Sequence, residues 1–151
     1  MDEQLKTQLK KCFELMVKIK EEYPEGVFDR EMLHGDMDFR YRRISELRDK
    51  IEALPTAVKG FAKFKDALGV SDNAVRSFFH EALKTPDRFS VLVGIGFKER
   101  RQVMEKWAGE LQISTQHINE LLTRSRLSGI LDVDYRLNED YRGVIMAYLD
   151  A

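Results

Sequence analysis

The sequence has only one cysteine, three prolines and no long apolar run, and each shortage narrows what the chain can be. A lone Cys12 cannot close an internal disulfide, which fits a reducing compartment and a thiol buried in a helix stripe. No apolar stretch approaches the roughly 18–20 residues that a membrane span needs. Met1–Leu5 lacks the basic-then-apolar order of a secretory signal. A cytoplasmic protein without membrane contact is the expectation. Neither sign of charge dominates: 25 Lys and Arg face 26 Asp and Glu, for a net charge of −1. Proteins that bind nucleic acid unaided usually carry a basic surplus, because phosphate neutralisation supplies much of their affinity. Any such activity here has to come from a local patch or from a dimer.

Catalytic signatures are also missing. His34, His80 and His117 are far apart and share no ligand spacing. The carboxylates of His34-Gly-Asp36-Met-Asp38 do not follow the calcium-loop pattern. There is no P-loop, no full dinucleotide-binding glycine motif and no nucleophile elbow. The expectation is therefore no enzyme, with no catalytic, cofactor-binding or metal-ligating residues and no cofactor.

A hydrophobic share of 43% beside 34% charged residues suits a packed globular chain. From Leu5 to Tyr23, the residues Leu5, Leu9, Cys12, Met16, Ile19 and Tyr23 recur at spacings of three and four, the signature of one helix face. Pro24-Glu-Gly26 ends that helix, and Asp29 is a candidate N-cap for the next. The second helix breaks near His34-Gly35-Asp36 and then runs from about Met37 to Leu54, with Met37, Tyr41, Ile44, Leu47, Ile51 and Leu54 on one face. The basic run Arg40-Tyr-Arg42-Arg43 is offset by nearby acidic side chains and reads as a solvated, ion-paired face. Residues 1–54 thus form an amphipathic helical hairpin, which either packs on the rest of the chain or pairs with a second copy as a homodimer. Pro55 closes it, and residues 55–151 change to shorter helices.

That second part repeats itself. A shift of 43 residues places Phe61 on Met104, Phe64 on Trp107, Leu68 on Leu111 and Val70 on Ile113. It also places Ser71 on Ser114, Val75 on Ile118, Phe78 on Leu121 and Phe79 on Leu122. These are the positions that two helices meeting at a tight turn would bury.

The second copy, Ala108 to Leu122, resembles the helix-turn-helix and winged-helix superfamily. Ala108 is small where a second helix crosses, Leu111 and Ile113 fill the angle, and Ser114 caps the incoming helix. The usual turn glycine is Gln112, so a less sharply left-handed backbone is expected there. The first copy keeps Gly69 but carries Lys65 where a small residue is expected. Ser128–Asp134 and Tyr135–Leu137 are expected to pair as the short β-hairpin of a wing, with Arg88–Val93 as the winged domain's first helix. The fold class is therefore mostly α: an N-terminal helical hairpin, then two helix-turn-helix-like units, the second winged.

The resemblance implies a nucleic-acid-binding regulatory protein that contacts DNA or RNA. Gln116, Asn119, Thr123 and Arg124 would face outward from the recognition helix, where Asn, Gln and Arg match base edges. Lys98, Arg100 and Arg101, with Lys106, would reach phosphates. Leu92-Val-Gly94-Ile-Gly96-Phe-Lys98, running on to Arg101, has a weaker similarity to a helix-hairpin-helix turn, whose loop holds a backbone phosphate without reading sequence. The wing points the other way, because Asp132, Asp134, Glu139 and Asp140 outnumber Arg136 and Arg142. The alternative is a helical adaptor that uses the same helices to hold another protein and touches no nucleic acid.

Overall fold

The computed structural model describes residues 3–22 and 37–150. The expected features at Pro24–Gly26, Asp29 and His34–Asp36 lie outside the described residues, as do the side chains of Met37, Arg40 and Tyr41. Among the described residues the chain is mostly helical: α1 Glu3–Glu22, α2 Met37–Glu52, α3 Thr56–Ala67, α4 Asp72–Lys84, α5 Phe97–Leu111, α6 Thr115–Leu127 and α7 Arg142–Asp150. One 3-10 turn, Arg88–Leu92, links α4 to α5, and another, Glu139–Tyr141, leads into α7. None of the described helices is long and apolar enough to cross a membrane.

The amphipathic stripes explain the assembly. α1 buries Leu9, Cys12 and Leu15, and α2 buries Ile44, Leu47 and Ile51. α1 packs on α2, α3 and α7, so its apolar face is used within the chain. Burial pushes the Cys12 thiol up from its ordinary value, which keeps it protonated and unreactive. On the polar side, Arg43 grips Glu22 with two hydrogen bonds of 3.1 Å, tying α2 to the end of α1.

The core carries an aromatic chain. Phe64 and Phe79 meet edge-on, Phe79 meets Phe78, Phe78 stacks on Phe89, and Phe89 meets Trp107 edge-on at 5.0 Å. These rings connect α3 and α4 to the C-terminal half of α5 through the 3-10 turn, and such pairs add about 0.5–1.5 kcal/mol each beyond area burial.

The repeat has matching burial. Phe61, Phe64, Val75, Phe78 and Phe79 are buried, and so are Met104, Trp107, Ile118, Leu121 and Leu122 at the shifted positions. Both serines cap their helices, with Ser71 Oγ accepting from the Ala74 N–H at 3.3 Å and Ser114 Oγ from the His117 N–H at 3.0 Å. The connections differ. Gln112 adopts φ 57° and ψ 42°, fully left-handed despite its side chain, which corrects the expectation of a blunter turn. The Ile113 N–H donates to the Ala108 carbonyl at 3.0 Å and the Gln112 N–H to the Gly109 carbonyl at 3.4 Å, a Schellman closure. In the first copy, Leu68 is extended at φ −79° and ψ 136°, and the Gly69 N–H donates to Glu120 of α6 instead. As a result α5 lies close along α6, whereas α3 and α4 splay and meet through their rings.

The expected wing does not form. Among the described residues there is no β-strand, and Leu131 and Leu137 make a single isolated antiparallel bridge. The cause is Asp132, whose Oδ1 accepts from the backbone N–H groups of Asp134 and Arg136 at 2.8 and 3.0 Å and winds the segment into a tight loop. Tyr135 completes that loop at φ 59°, a conformation no strand residue adopts. The expected first helix of the winged domain is only the 3-10 turn Arg88–Leu92.

Candidate functional site

α5 begins after the turn Gly94-Ile-Gly96, where Gly94 takes φ 81° and Gly96 precedes the first helical residue. The Schellman turn at the other end folds α6 back beside α5. The N-terminal half of α5 and the first turn of α6 line one cleft of about 330 Å³. Its walls carry Phe97, Arg100 and Arg101 from α5, with Thr115, Gln116 and Asn119 from α6. Met104 and Glu105 lie between the walls. Phe97 is 86% exposed, an unusual position for a phenylalanine.

Of the seven residues assigned from sequence, the structure brings Arg100, Arg101, Gln116 and Asn119 together in this cleft. Lys98 is exposed on the first turn of α5, and Thr123 is exposed two turns along α6 from Gln116. Arg124 lies elsewhere. It lines a separate cleft with Gly60, Lys63 and Phe64 of α3, and its Nε is 3.5 Å from Glu120 Oε1.

The charged side chains of the cleft are Arg100, Arg101 and Glu105. Arg101 Nε is 3.5 Å from Glu105 Oε1 in an exposed pair, which is worth little. Arg100 lies 5.7 Å from the centre of the Tyr135 ring, and Arg126 lies 5.1 Å from it. Burial is the largest single influence on the Tyr135 hydroxyl and raises its pKa. The hydrogen bonds and charges of Arg100 and Arg126 together outweigh it, and the hydroxyl ends below its ordinary value. Arg100 therefore also contacts the 131–137 loop, which carries the exposed carboxylates of Asp132 and Asp134.

The first unit has the corresponding place filled. Tyr148 of α7 packs against Phe61 at 5.0 Å between ring centroids, and its hydroxyl donates to Asp72 Oδ1. The Arg76 guanidinium sits 4.6 Å over the Tyr148 ring and donates to the carbonyls of Tyr148 and Leu149 at 3.2 Å each. Lys65, the residue that looked too large in the repeat, reaches Asp72 at 3.2 Å with its ammonium between the rings of Phe13 and Tyr148. Burial is the largest influence on the Asp72 carboxyl and raises its pKa. The hydrogen bonds from Tyr148, Arg76 and Lys65 overcome it and lower the carboxyl from 3.8 to about 2. Burial and the Asp72 charge push the Tyr148 hydroxyl well up.

Four positions of α3 and α4 thus hold Tyr148, namely Phe61, Lys65, Asp72 and Arg76. Shifted by 43, they become Met104, Ala108, Thr115 and Asn119; Met104, Thr115 and Asn119 line the open cleft of α5 and α6, and Ala108 is buried outside its lining. The reading from sequence missed Phe97, Met104 and Thr115 as cleft residues. The repeat was the signal that pointed to them, but only with the seat of Tyr148 known. The fold is mostly helical among the described residues, and the seat of Tyr148 also borders a pocket of about 470 Å³ lined by α1, Lys65, Asp72 and Arg76. No family model, curated protein or solved structure matches the chain.

Proposed function

We propose that this chain is a helical adaptor that binds another protein through the α5–α6 cleft. The observation that carries this reading is the occupied counterpart: the equivalent positions of α3 and α4 already bind a helix. Phe97, exposed at the mouth, supplies apolar area that only an occupant would cover, worth about 1.5–3 kcal/mol when fully buried. Two arginines against Glu105 give the cleft a small positive surplus, far short of the basic patch that holds a polyanion, and so favour a protein surface.

A second reading keeps the nucleic-acid-binding regulator of the helix-turn-helix class. The exposed Gln116 and Asn119 at the start of α6, with Arg100 and Arg101 opposite, favour it. Titration of the full chain into labelled duplex DNA over a range of salt concentrations separates the two. The adaptor reading expects no measurable affinity at low salt. Affinity that falls steeply with salt and is lost in Arg100→Ala with Arg101→Ala would establish the second reading and remove the first.

A further inference from the structure

Resting on the protein-binding reading, we infer that the occupant of the α5–α6 cleft is an amphipathic helix with an aromatic anchor and carboxylates flanking it. The first unit shows how such a helix is held. A ring sits on an apolar floor, its hydroxyl meets a polar group on the first turn of the second helix, and a side chain one turn further on donates to the helix-end carbonyls.

Each part has a counterpart in the second unit. Met104 supplies the apolar floor in place of Phe61, and its flexible thioether accepts a range of ring shapes. Thr115 replaces Asp72 and still accepts a hydrogen bond from a phenol or indole. Asn119 replaces Arg76, and its amide N–H still donates to carbonyls at a helix end, where the last four lack partners. Phe97 replaces Leu54 and extends the apolar contact to the mouth.

The flank of the second unit differs from that of the first. Ala57 and Val58, which pack within the fold, become Arg100 and Arg101. α7 carries Asp150 two residues beyond its Tyr148 anchor, where that carboxylate pairs with Lys6 of α1. A helix that satisfies the second unit places carboxylates beside its anchor to meet Arg100 and Arg101, so the fitting partner is an acidic amphipathic helix.

The experiment uses the full chain and fluorescein-labelled peptides of sequence 139–150, held helical by a hydrocarbon staple on the face opposite Tyr148. One carries Arg142→Glu, a second adds Tyr148→Ala to it, and a third carries Glu139→Lys and Asp140→Lys. Anisotropy is expected to show the anionic, aromatic peptide binding at least about 10-fold more tightly than either of the others, a gap of about 1.4 kcal/mol. Phe97→Ala with Arg101→Glu in the protein, both at exposed positions, should weaken it by a similar factor with the thermal melt unchanged. Equal binding of all three peptides would overturn the occupant's chemistry and leave the protein-binding reading standing. Binding by none of them would overturn the inference. Salt-dependent DNA affinity through Arg100 and Arg101 would overturn the reading beneath it.

Discussion

Replacing Asp72 by Asn tests the clamp that seats α7. The carboxylate receives the Tyr148 hydroxyl, Arg76 Nε at 2.7 Å and Lys65 Nζ at 3.2 Å, and it lies in the first turn of α4, where the helix dipole favours a negative charge. Its pKa falls from 3.8 unfolded to about 2 folded. At about 1.36 kcal/mol per unit, such a displacement sets a ceiling of roughly 2.5 kcal/mol. The side chain is about half exposed, so solvent screening reduces the expected contribution to about 1 kcal/mol. A lowered pKa stabilises the fold above the unfolded value and loses that contribution as pH falls toward the folded value. Asp72→Asn should therefore cost about 1 kcal/mol at pH 7, a drop in Tm of about 2–4 °C for a chain of this size. The gap between variant and wild type should close as pH falls from about 4 to about 2. Urea unfolding followed by far-ultraviolet circular dichroism at several pH values measures it. A gap that is independent of pH, or that widens in acid, would refute the charge clamp.

Substitutions at three further positions probe the frame around the cleft. Ser125 is buried, its Oγ has no hydrogen-bond partner among the described residues, and the repeat places Ala82 at the equivalent position. Ser125→Ala should raise unfolding stability by about 1 kcal/mol, and a loss would show that the hydroxyl is satisfied. Gln112→Gly should leave stability unchanged or raise it by up to about 1 kcal/mol, whereas Gln112→Val should lower it by about 1–2 kcal/mol, because a β-branched side chain resists φ 57°. Equal melts for those two variants would contradict the left-handed turn. Trp107→Ala empties the end of the aromatic chain and should cost about 3–5 kcal/mol in denaturant titration; less than 1 kcal/mol would mean that Trp107 is not packed as described.

Local chemistry was readable in the sequence, and contacts between distant segments were not. Apolar spacing located α1 and α2, and the 43-residue repeat paired buried positions and both serine caps correctly, because each rule depends on neighbours a few residues away. The wing failed for a local reason that hydrophobic alternation does not capture, since a short carboxylate at Asp132 captured backbone donors a strand pair would have used. α7 went unassigned: its Val144, Ile145 and Tyr148 stripe spans barely two turns, too short to stand out. Within the cleft, the four residues that converge sit near a turn the repeat had already placed. Arg124 was misplaced because Glu120, which draws it aside, also receives the Gly69 N–H from the other unit. Lys65 looked like a flaw in the repeat, and only the fold brings it beside Asp72 and the ring of Tyr148.

The most direct measurement of the central claim is a nitrogen-15 correlation spectrum of the full chain, titrated with the anionic aromatic peptide. The account predicts shifts confined to Phe97, Arg100, Arg101, Met104, Thr115, Gln116 and Asn119, with α1 and α7 unmoved. Shifts centred instead on Asp72, Arg76 and the end of α7 would mean that the peptide displaces Tyr148 from the first unit, and that the open cleft is not the binding surface.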